Sequence, residues 1–286
     1  MKTLRQFTPS YLYRKRDRII PFLCRSFYAP ILGVQRRMGL LGHPVTSGDQ
    51  KIQDLRVRHK GKRCFIVGNG PSLRISDLER LHQLGEICFA FNRIYLAFGE
   101  TAFRPSYYIV EDPLVAKNTR DDILALEPFQ KFFPYQFRSS LKNASNSLFY
   151  HLDWTDFYPG KPLFTCNPFD LHWGATVTFT AIQLAIYMGC DPIYLIGVDF
   201  FFIESGSRDP IEANVLISDG EQNHFHPDYR GSGEKWYAPR LDHQKCAYEA
   251  ARAYSSSKGI MIINASRNSR LEVFERRDLD EIIGRS

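Results

Sequence analysis

A short polar turn that follows an apolar run carries the residues best suited to holding a ligand. The run Cys64–Val67 is followed by Gly68, Asn69, Gly70, Pro71 and Ser72, and a helix signal comes directly afterwards. Glycine lets a backbone approach a bound group closely, while Asn69 and Ser72 offer side-chain donors and acceptors. The pattern is neither the dinucleotide-binding fingerprint nor a P-loop. It predicts a buried strand that delivers a binding turn, although an ordinary strand-to-helix turn has the same composition.

Polar side chains also stand directly after three further apolar runs. Asn92, Asp112 and Asp199 each follow a segment that is typical of a strand. The ends of parallel strands share one edge of a sheet, so these residues and Asn69 are expected to line one cleft. A single Asn or Asp often does no more than cap a helix or close a turn. Four in succession predict a site for a small polar ligand such as a nucleotide.

A long loop over about residues 201–238 carries the second group of chemically capable side chains. His224 and His226 lie in it, with Tyr229 and Tyr237 further along. Long loops in compact domains are often lids, and imidazole suits a general base at neutral pH, but both histidines are also compatible with plain loop residues. A metal site is not expected, because no carboxylate or cysteine set completes one. The tyrosines either donate hydrogen bonds to a phosphate or only pack the loop.

Alternating strands and helices must position these residues. Strands are predicted at 64–67, 87–90, 107–110, 193–197 and 260–264, helices at 76–84, 175–188 and 241–258, and short elements across 114–170. Ser76 and Glu79 predict a capping box for the first helix, and Thr176 lies at the start of the second. Strands separated by helices imply the α/β class, with a doubly wound, mostly parallel Rossmann-like sheet of a GT-A-like variant and a lid-like loop.

The charge is unevenly distributed along the chain. Residues 1–63 hold 15 Lys/Arg and 3 Asp/Glu, a net of +12, whereas the remaining 223 residues hold 22 and 28, a net of −6. We therefore separate a basic, aromatic-rich extension over residues 1–60 from a Rossmann-like domain over 61–286. Cations mixed with large apolar groups suit an anionic membrane surface, contacted through residues 1–40, but a packing extension has the same composition. Nucleic acid is not an expected partner, because no recognition motif accompanies the charge.

The cysteines and the hydropathy indicate the compartment. Six cysteines are scattered without a CxxC pair, which indicates a reducing environment and no zinc cluster. No secretory signal and no apolar run long enough to span a bilayer are present. We expect a cytoplasmic protein, peripheral on the inner face of the cytoplasmic membrane if the basic extension binds lipid.

Four segments, in this order, resemble two related families: 66–73, 89–95, 181–189 and 193–200. One is the bacterial sialyltransferase family typified by the Campylobacter lipooligosaccharide enzymes. The other is the MptE-like family, named after an archaeal 6-hydroxymethylpterin diphosphokinase, which includes the flagellin-modifying motility accessory factors. The segments 264–267 and 271–274 resemble the usual end of the MptE-like domain, so the resemblance covers about residues 60–283.

The sialyltransferase resemblance implies a single nucleotide-sugar-binding catalytic domain. Such an enzyme moves a sialic-acid-like or other sugar from a CMP-linked donor to a bacterial surface glycan or lipid-linked glycan, with inversion, without a metal, and with the donor as cosubstrate instead of a cofactor. On this resemblance the nucleotide or donor is held by Asn69, Gly70, Pro71, Ser72 and Asn92. The predicted donor site is completed by Gly68, Asp112, Thr176 and Asp199. The general base is His224 or His226, and leaving-group or acceptor contacts are expected from Tyr229 and Tyr237.

Two positions differ from the sialyltransferase pattern, and other functions stay open. Phe201 stands where those enzymes have a tyrosine that steadies the leaving phosphate, and Asp112 stands where they have an asparagine. The alternatives are an MptE-like diphosphokinase that transfers pyrophosphate from ATP, and a nucleotide-binding relative without catalysis. A homo-oligomer is compatible with each of these functions, including the glycosyltransferase, and the sequence does not give the oligomeric state.

Overall fold

The computed structural model describes residues 32–126, 129–203, 206–211 and 214–284. The strands in this part of the chain are β1 (Cys64–Val67), β2 (Ile87–Phe91), β3 (Tyr107–Ile109), β4 (Gln130–Pro134), β5 (Ser147–Tyr150), β6 (Leu152–Asp153), β7 (Leu171–His172), β8 (Ile193–Ile196), β9 (Ser207–Arg208), β10 (Val215–Ile217), β11 (Lys235–Tyr237), β12 (Ile262–Asn264) and β13 (Glu275–Arg276). Eight of them form one sheet in the order β13-β12-β8-β1-β2-β3-β4-β5. Every pair of neighbours in it is parallel.

The alternation of side chains along each strand builds two separate cores. In β1, Cys64 and Ile66 join one buried cluster, whereas Phe65 and Val67 join the other on the opposite face. The first face is covered by α1 (Ser47–Gln53), α6 (Val177–Tyr187) and α7 (Leu241–Ser257). The second is covered by α2 (Ile75–Gln83), α3 (Pro113–Asn118), α4 (Arg120–Ala125), α5 (Arg138–Leu141) and α8 (Leu279–Ile283). Helices on both faces of a parallel sheet confirm the predicted doubly wound α/β class.

The predicted capping box at the start of α2 is wrong. The helix begins at Ile75 instead of after Ser76, and the Asp77 carboxylate accepts the Arg74 N–H at 3.3 Å. Glu79 instead accepts hydrogen bonds from the Thr101 hydroxyl and from the Ala102 N–H. The Glu79 carboxylate, which the local pattern assigned to the start of the helix, therefore binds residues more than 20 positions away.

The segment predicted as one long loop over 201–238 contains regular structure. Strands β9, β10 and β11 form a small antiparallel sheet, and Pro227–Tyr229 forms a 3₁₀ turn. Val215, Leu216 and Trp236 are buried in this sheet. Their burial explains why the segment is more ordered than its polar composition suggested.

Residues before β1 pack against the sheet domain. Residues 32–40 are helical, and the Gln35 side chain donates to Asp49 at 2.8 Å. Ile52 and Leu55 are buried in the first core, and the Val57 N–H donates to the Tyr187 carbonyl at 3.0 Å. The boundary at residue 60 stays a prediction, since residues 1–31 lie outside the described part of the chain.

Two further findings concern the cysteines and the apolar character of the helices. Cys64, Cys88, Cys166, Cys190 and Cys246 are free thiols in the described part of the chain. Within those same ranges, no helix combines the length and the apolar character needed to cross a bilayer.

Candidate active site

A cavity of about 650 Å³ opens at the carboxyl edge of the central sheet. It lies where β1 has β2 on one side and β8 on the other, which is the switch point of a doubly wound sheet. Residues just beyond the ends of β1, β2, β3 and β8 all line it, together with the start of α6 and parts of the 201–238 segment. The predicted convergence of distant segments on one edge is therefore present.

The turn after β1 abuts the turn after β8. The Gly70 N–H donates to the Gly197 carbonyl at 2.9 Å. A Cβ added at Gly68 would lie 2.3 Å from that same carbonyl oxygen, and Gly197 itself has a φ of +62°. Two glycines are thus required because two backbone turns touch beside the cavity.

Replacing Gly68 by alanine is expected to lower the free energy of unfolding by about 3 kcal/mol, because the new methyl group meets backbone that cannot rotate away. Urea denaturation would show this loss, with a melting temperature lower by about 6–12 °C. Gly99→Ala is the matched control, since a Cβ there meets nothing within 4 Å. Equal stability of the two variants would contradict the close approach of the turns.

Asp199 is held by the turn after β1. Its carboxylate accepts the Ser72 N–H at 2.9 Å and also the Ser72 hydroxyl. Burial raises the pKa of Asp199, and the bonds from Ser72 oppose this effect. Asp199 lines the cavity, whereas Ser72 and Pro71 are not among the lining residues. Ser72 thus positions a cavity carboxylate, and a direct contact of Pro71 or Ser72 with a ligand stays a prediction.

Asn69 and Asn92 both line the cavity, and each has a buried side-chain oxygen without a hydrogen-bond partner. The Asn69 Nδ2 donates to the Phe91 carbonyl at 3.1 Å, and its Oδ1 is buried without a partner, as is the Oδ1 of Asn92. Among the described residues, six buried side-chain polar atoms lack a partner, and four of them belong to cavity-lining residues. Buried polar groups are normally hydrogen-bonded. Two amide oxygens in this state are suited to receive donors from a bound ligand.

The two predicted histidines lie on different sides of their segment. The Phe225 N–H donates to the Asn69 carbonyl at 3.0 Å and so fixes the segment against the turn after β1. His224 lines the cavity and stacks on Tyr229, with ring centroids 3.7 Å apart. His226 is not among the lining residues, and its Nδ1 accepts the Asp228 N–H at 3.1 Å. Only His224 of the pair therefore reaches the cavity.

The environment of His224 keeps its imidazole neutral. Burial, followed by the positive charges of Arg230 and Arg93, lowers the pKa of His224 well below its ordinary value of 6.5. Its Nδ1 is buried without a hydrogen-bond partner. A neutral ring of this kind has a free lone pair at physiological pH.

The other predicted contact residues line the same cavity, but two of them also cap helices. The Thr176 hydroxyl accepts the Thr178 N–H at 3.3 Å at the start of α6. The Asp112 Oδ1 accepts the Leu114 N–H at 2.7 Å at the start of α3, and burial raises the pKa of Asp112. Tyr229 is buried, and burial raises the pKa of Tyr229 to about 12. Tyr237 is half-buried at the rim.

Sequence reasoning missed Glu111, which immediately precedes Asp112. Its side chain is 3% exposed and lines the cavity. Burial raises the pKa of Glu111 to about 8, although hydrogen bonds from Thr180 and Tyr150 act in the opposite direction. The signal was the alternation along β3, which directs residue 111 to the same face as Tyr107 and Ile109.

Aromatic and cationic side chains were missed as well. All three tryptophans of the chain, Trp154, Trp173 and Trp236, line the cavity. Arg230 and Arg240 line it too, with the Arg230 guanidinium 3.8 Å above the centroid of the Trp236 ring. Arginine beside aromatic faces suits a ligand that carries both a flat ring and an anionic group.

The described residues contain no group of three or more His, Cys, Asp or Glu arranged to hold a metal ion. Asp112 and Asp199 are already engaged by backbone N–H groups and by Ser72.

The fold and the cavity define a doubly wound α/β protein whose candidate ligand site lies at the switch point of its sheet. Over residues 43–205, more than half of its length, the chain matches the family described as 6-hydroxymethylpterin diphosphokinase MptE-like. The chain belongs to this MptE-like family, which confirms that part of the sequence resemblance. The resemblance to sialyltransferases stays a prediction.

Two other comparisons complete this finding. A search of curated proteins gives no match. Among solved structures, the chain is similar to the "MAf glycosyltransferase from Magnetospirillum magneticum AMB-1", with 14% identity and a TM-score of 0.48. The alignment covers 79% of this chain and 37% of that one, so the chain spans little more than a third of that protein's length.

Proposed function

We propose that this protein is a glycosyltransferase that takes a sugar from a nucleotide-activated donor. The proposal rests above all on the meeting of Asn69, Asn92 and His224 in one cavity at the switch point of the sheet. The cavity volume of about 650 Å³ lies within the range of ligand pockets. The unpaired amide oxygens suit the amino and hydroxyl donors of a nucleoside.

In this mechanism, the donor lies across the turn Gly68–Gly70 with its base or ribose on the two asparagines. The acceptor hydroxyl oxygen attacks the anomeric carbon, the bond from that carbon to the phosphate oxygen breaks, and the configuration inverts. His224 takes the hydroxyl proton, for which its neutral ring is ready. We assign stabilisation of the leaving phosphate to Arg230 and Tyr237, which line the cavity, because Phe201 has no donor for this role.

The finer assignments follow the family resemblance. We propose CMP as the nucleotide, a sialic-acid-like sugar as the group transferred, and a bacterial surface glycan or lipid-linked glycan as the acceptor. The protein would act in the cytoplasm, with residues 1–40 on the inner face of the membrane, and without nucleic acid as a partner. Analytical ultracentrifugation would measure its oligomeric state.

A second candidate is an MptE-like diphosphokinase that transfers pyrophosphate from ATP. The description of the family favours it, and so does the presence of three cavity carboxylates, from Glu111, Asp112 and Asp199. Magnesium-dependent release of AMP from ATP in the presence of a pterin alcohol would identify this reaction.

Tryptophan fluorescence tests the proposal directly, because all three tryptophans line the cavity. We expect CMP and CMP-sialic acid to quench the emission and to raise the melting temperature. Asn92→Ala should weaken CMP binding by about 10-fold, the loss of one net hydrogen bond. The exposed Asn143→Ala is its control. A response to ATP with magnesium, and none to cytidine nucleotides, would overturn the transferase in favour of the diphosphokinase.

A further inference from the structure

The Glu111 carboxyl group lines the cavity. It is 3% exposed, and the charged neighbour that acts on it is Asp112, a group of like sign. No ion pair between described residues includes it, whereas Arg230, also on the cavity, pairs with Glu221. A buried carboxylate in this position is unfavourable unless it is neutral or meets a charge from a ligand.

The hydrogen bonds to Glu111 distinguish its two oxygen atoms. The Thr180 hydroxyl donates to Oε2, and the Tyr150 hydroxyl donates to the same Oε2 at 3.4 Å. Oε1 accepts no hydrogen bond from a described residue. An oxygen that accepts two donors is the carbonyl oxygen of an acid, so the proton of the neutral form belongs on Oε1. Burial raises the pKa of Glu111 to about 8, which keeps this form dominant at neutral pH.

We propose that Glu111 recognises the bound donor substrate as a neutral carboxylic acid, with its Oε1–H donating a hydrogen bond to an anionic oxygen of that substrate. This inference rests on the proposed function, because it requires a nucleotide-activated ligand in the cavity. A neutral acid can hydrogen-bond a phosphate or a sugar carboxylate, whereas the ionised form would repel it. Glu111 would thus select ligands that carry an anionic oxygen next to its carboxyl group. Ionisation of Glu111 would weaken the binding of these ligands.

Two titratable groups near Glu111, Tyr150 and His224, keep their protonation over the pH range that matters. Asp112 faces Glu111 from its own turn, Tyr150 from β5, and Thr180, which does not titrate, from α6. Burial raises the pKa of Tyr150 well above 10, and burial lowers the pKa of His224 across the cavity well below 6.5. Both are therefore neutral from pH 7.5 to 9.5. In the same range nucleotide phosphates are fully ionised and the bases of CMP and AMP do not titrate.

The experiment measures the affinity for CMP and for AMP by tryptophan quenching between pH 7.5 and 9.5. For whichever nucleotide binds, the wild-type affinity should fall by about 10-fold per pH unit above pH 8. Glu111→Gln keeps a donor that cannot ionise, so its affinity should match the wild type at pH 7.5 and stay flat above it. Glu111→Leu should weaken binding by about 10–100-fold at pH 7.5, since it lacks the donor. The hydrogen bond from Thr180 lowers the pKa of Glu111. Thr180→Val removes this bond and should therefore move the fall in affinity to higher pH.

Three results would overturn the inference. Affinity that rises with pH, together with loss of binding in Glu111→Gln, would mean that a carboxylate and a ligand cation are required. Wild-type affinity in a folded Glu111→Leu variant would mean that Glu111 does not contact the ligand, while the proposed function stands. Failure of both nucleotides to bind wild-type protein would overturn the proposed cytidine donor and this inference together. Thermal denaturation of each variant verifies that it is folded.

Discussion

Replacing His224 by alanine is expected to lower the turnover number for glycosyl transfer by about 10²–10⁴-fold, the usual contribution of a general base, while donor affinity changes little. The ring stacks on Tyr229, so its loss is expected to remove proton transfer more than donor binding. The measurement is kcat and KM for sugar transfer, with donor binding followed separately by tryptophan quenching.

His226→Ala is the matched control for this variant. His226 lies two residues away, outside the cavity lining, and caps a 3₁₀ turn with its Nδ1. Its replacement should leave kcat close to wild type. The pH profile adds a second readout: because burial and two arginines lower the pKa of His224 well below 6.5, kcat/KM should stay level as the pH falls through 6.5. An equal loss of kcat in both variants would refute the assignment of His224 as the base.

The central sheet could be predicted because its strands are short, fully apolar and separated by helices. All four residues of β1 and of β8 are buried, and continuous apolar runs of this length are typical of parallel strands covered on both faces. The predicted strand starts at residues 64, 87, 107 and 193 agree with the structure. The convergence of Asn69, Asn92 and Asp199 on one edge then follows from the topology alone.

The features that escaped prediction depend on contacts between distant residues. The hydrogen bond between Ser72 and Asp199 joins positions 127 apart in the sequence, and no local sequence pattern predicts it. The same is true of Glu79, whose carboxylate bonds the segment around residue 101 instead of its own helix. The 201–238 segment was predicted to be a loop because its apolar runs are very short: the run that forms β10, Val215–Ile217, has three residues.

Glu111 and Asp112 illustrate why neighbouring residues can have different roles at a strand end. The sequence drew attention to Asp112, which the structure engages as the cap of α3. Glu111 points to the opposite face of the sheet, where it meets Thr180 of α6 inside the cavity. The two carboxyl groups are adjacent in the chain, but Asp112 accepts backbone N–H groups at Oδ1 as a helix cap, whereas Glu111 accepts side-chain hydroxyl groups at Oε2.

Burial of Glu111 should make the stability of the ligand-free protein depend on pH. The pKa of Glu111 is about 8 in the folded protein, against an ordinary value of 4.5. Because the folded pKa is raised, its contribution to stability is fully present below pH 4.5 and is lost as the pH rises through 8. The free energy of unfolding of wild-type protein, relative to that of Glu111→Gln, should therefore fall by up to about 5 kcal/mol between pH 4.5 and 8. Urea denaturation at half-unit pH intervals measures this difference.

The comparison with Glu111→Gln isolates Glu111 and its interaction with Asp112, because the titrations of more distant groups are common to both proteins. Asp199, whose pKa burial also raises, cancels in the difference. Glu281→Gln, which alters an exposed carboxyl on α8, should reproduce the wild-type pH dependence. Thr180→Val should extend the fall beyond pH 8, because it removes a hydrogen bond that lowers the pKa of Glu111. Parallel stability curves for wild type and Glu111→Gln across this range would show that Glu111 is ionised in the folded protein.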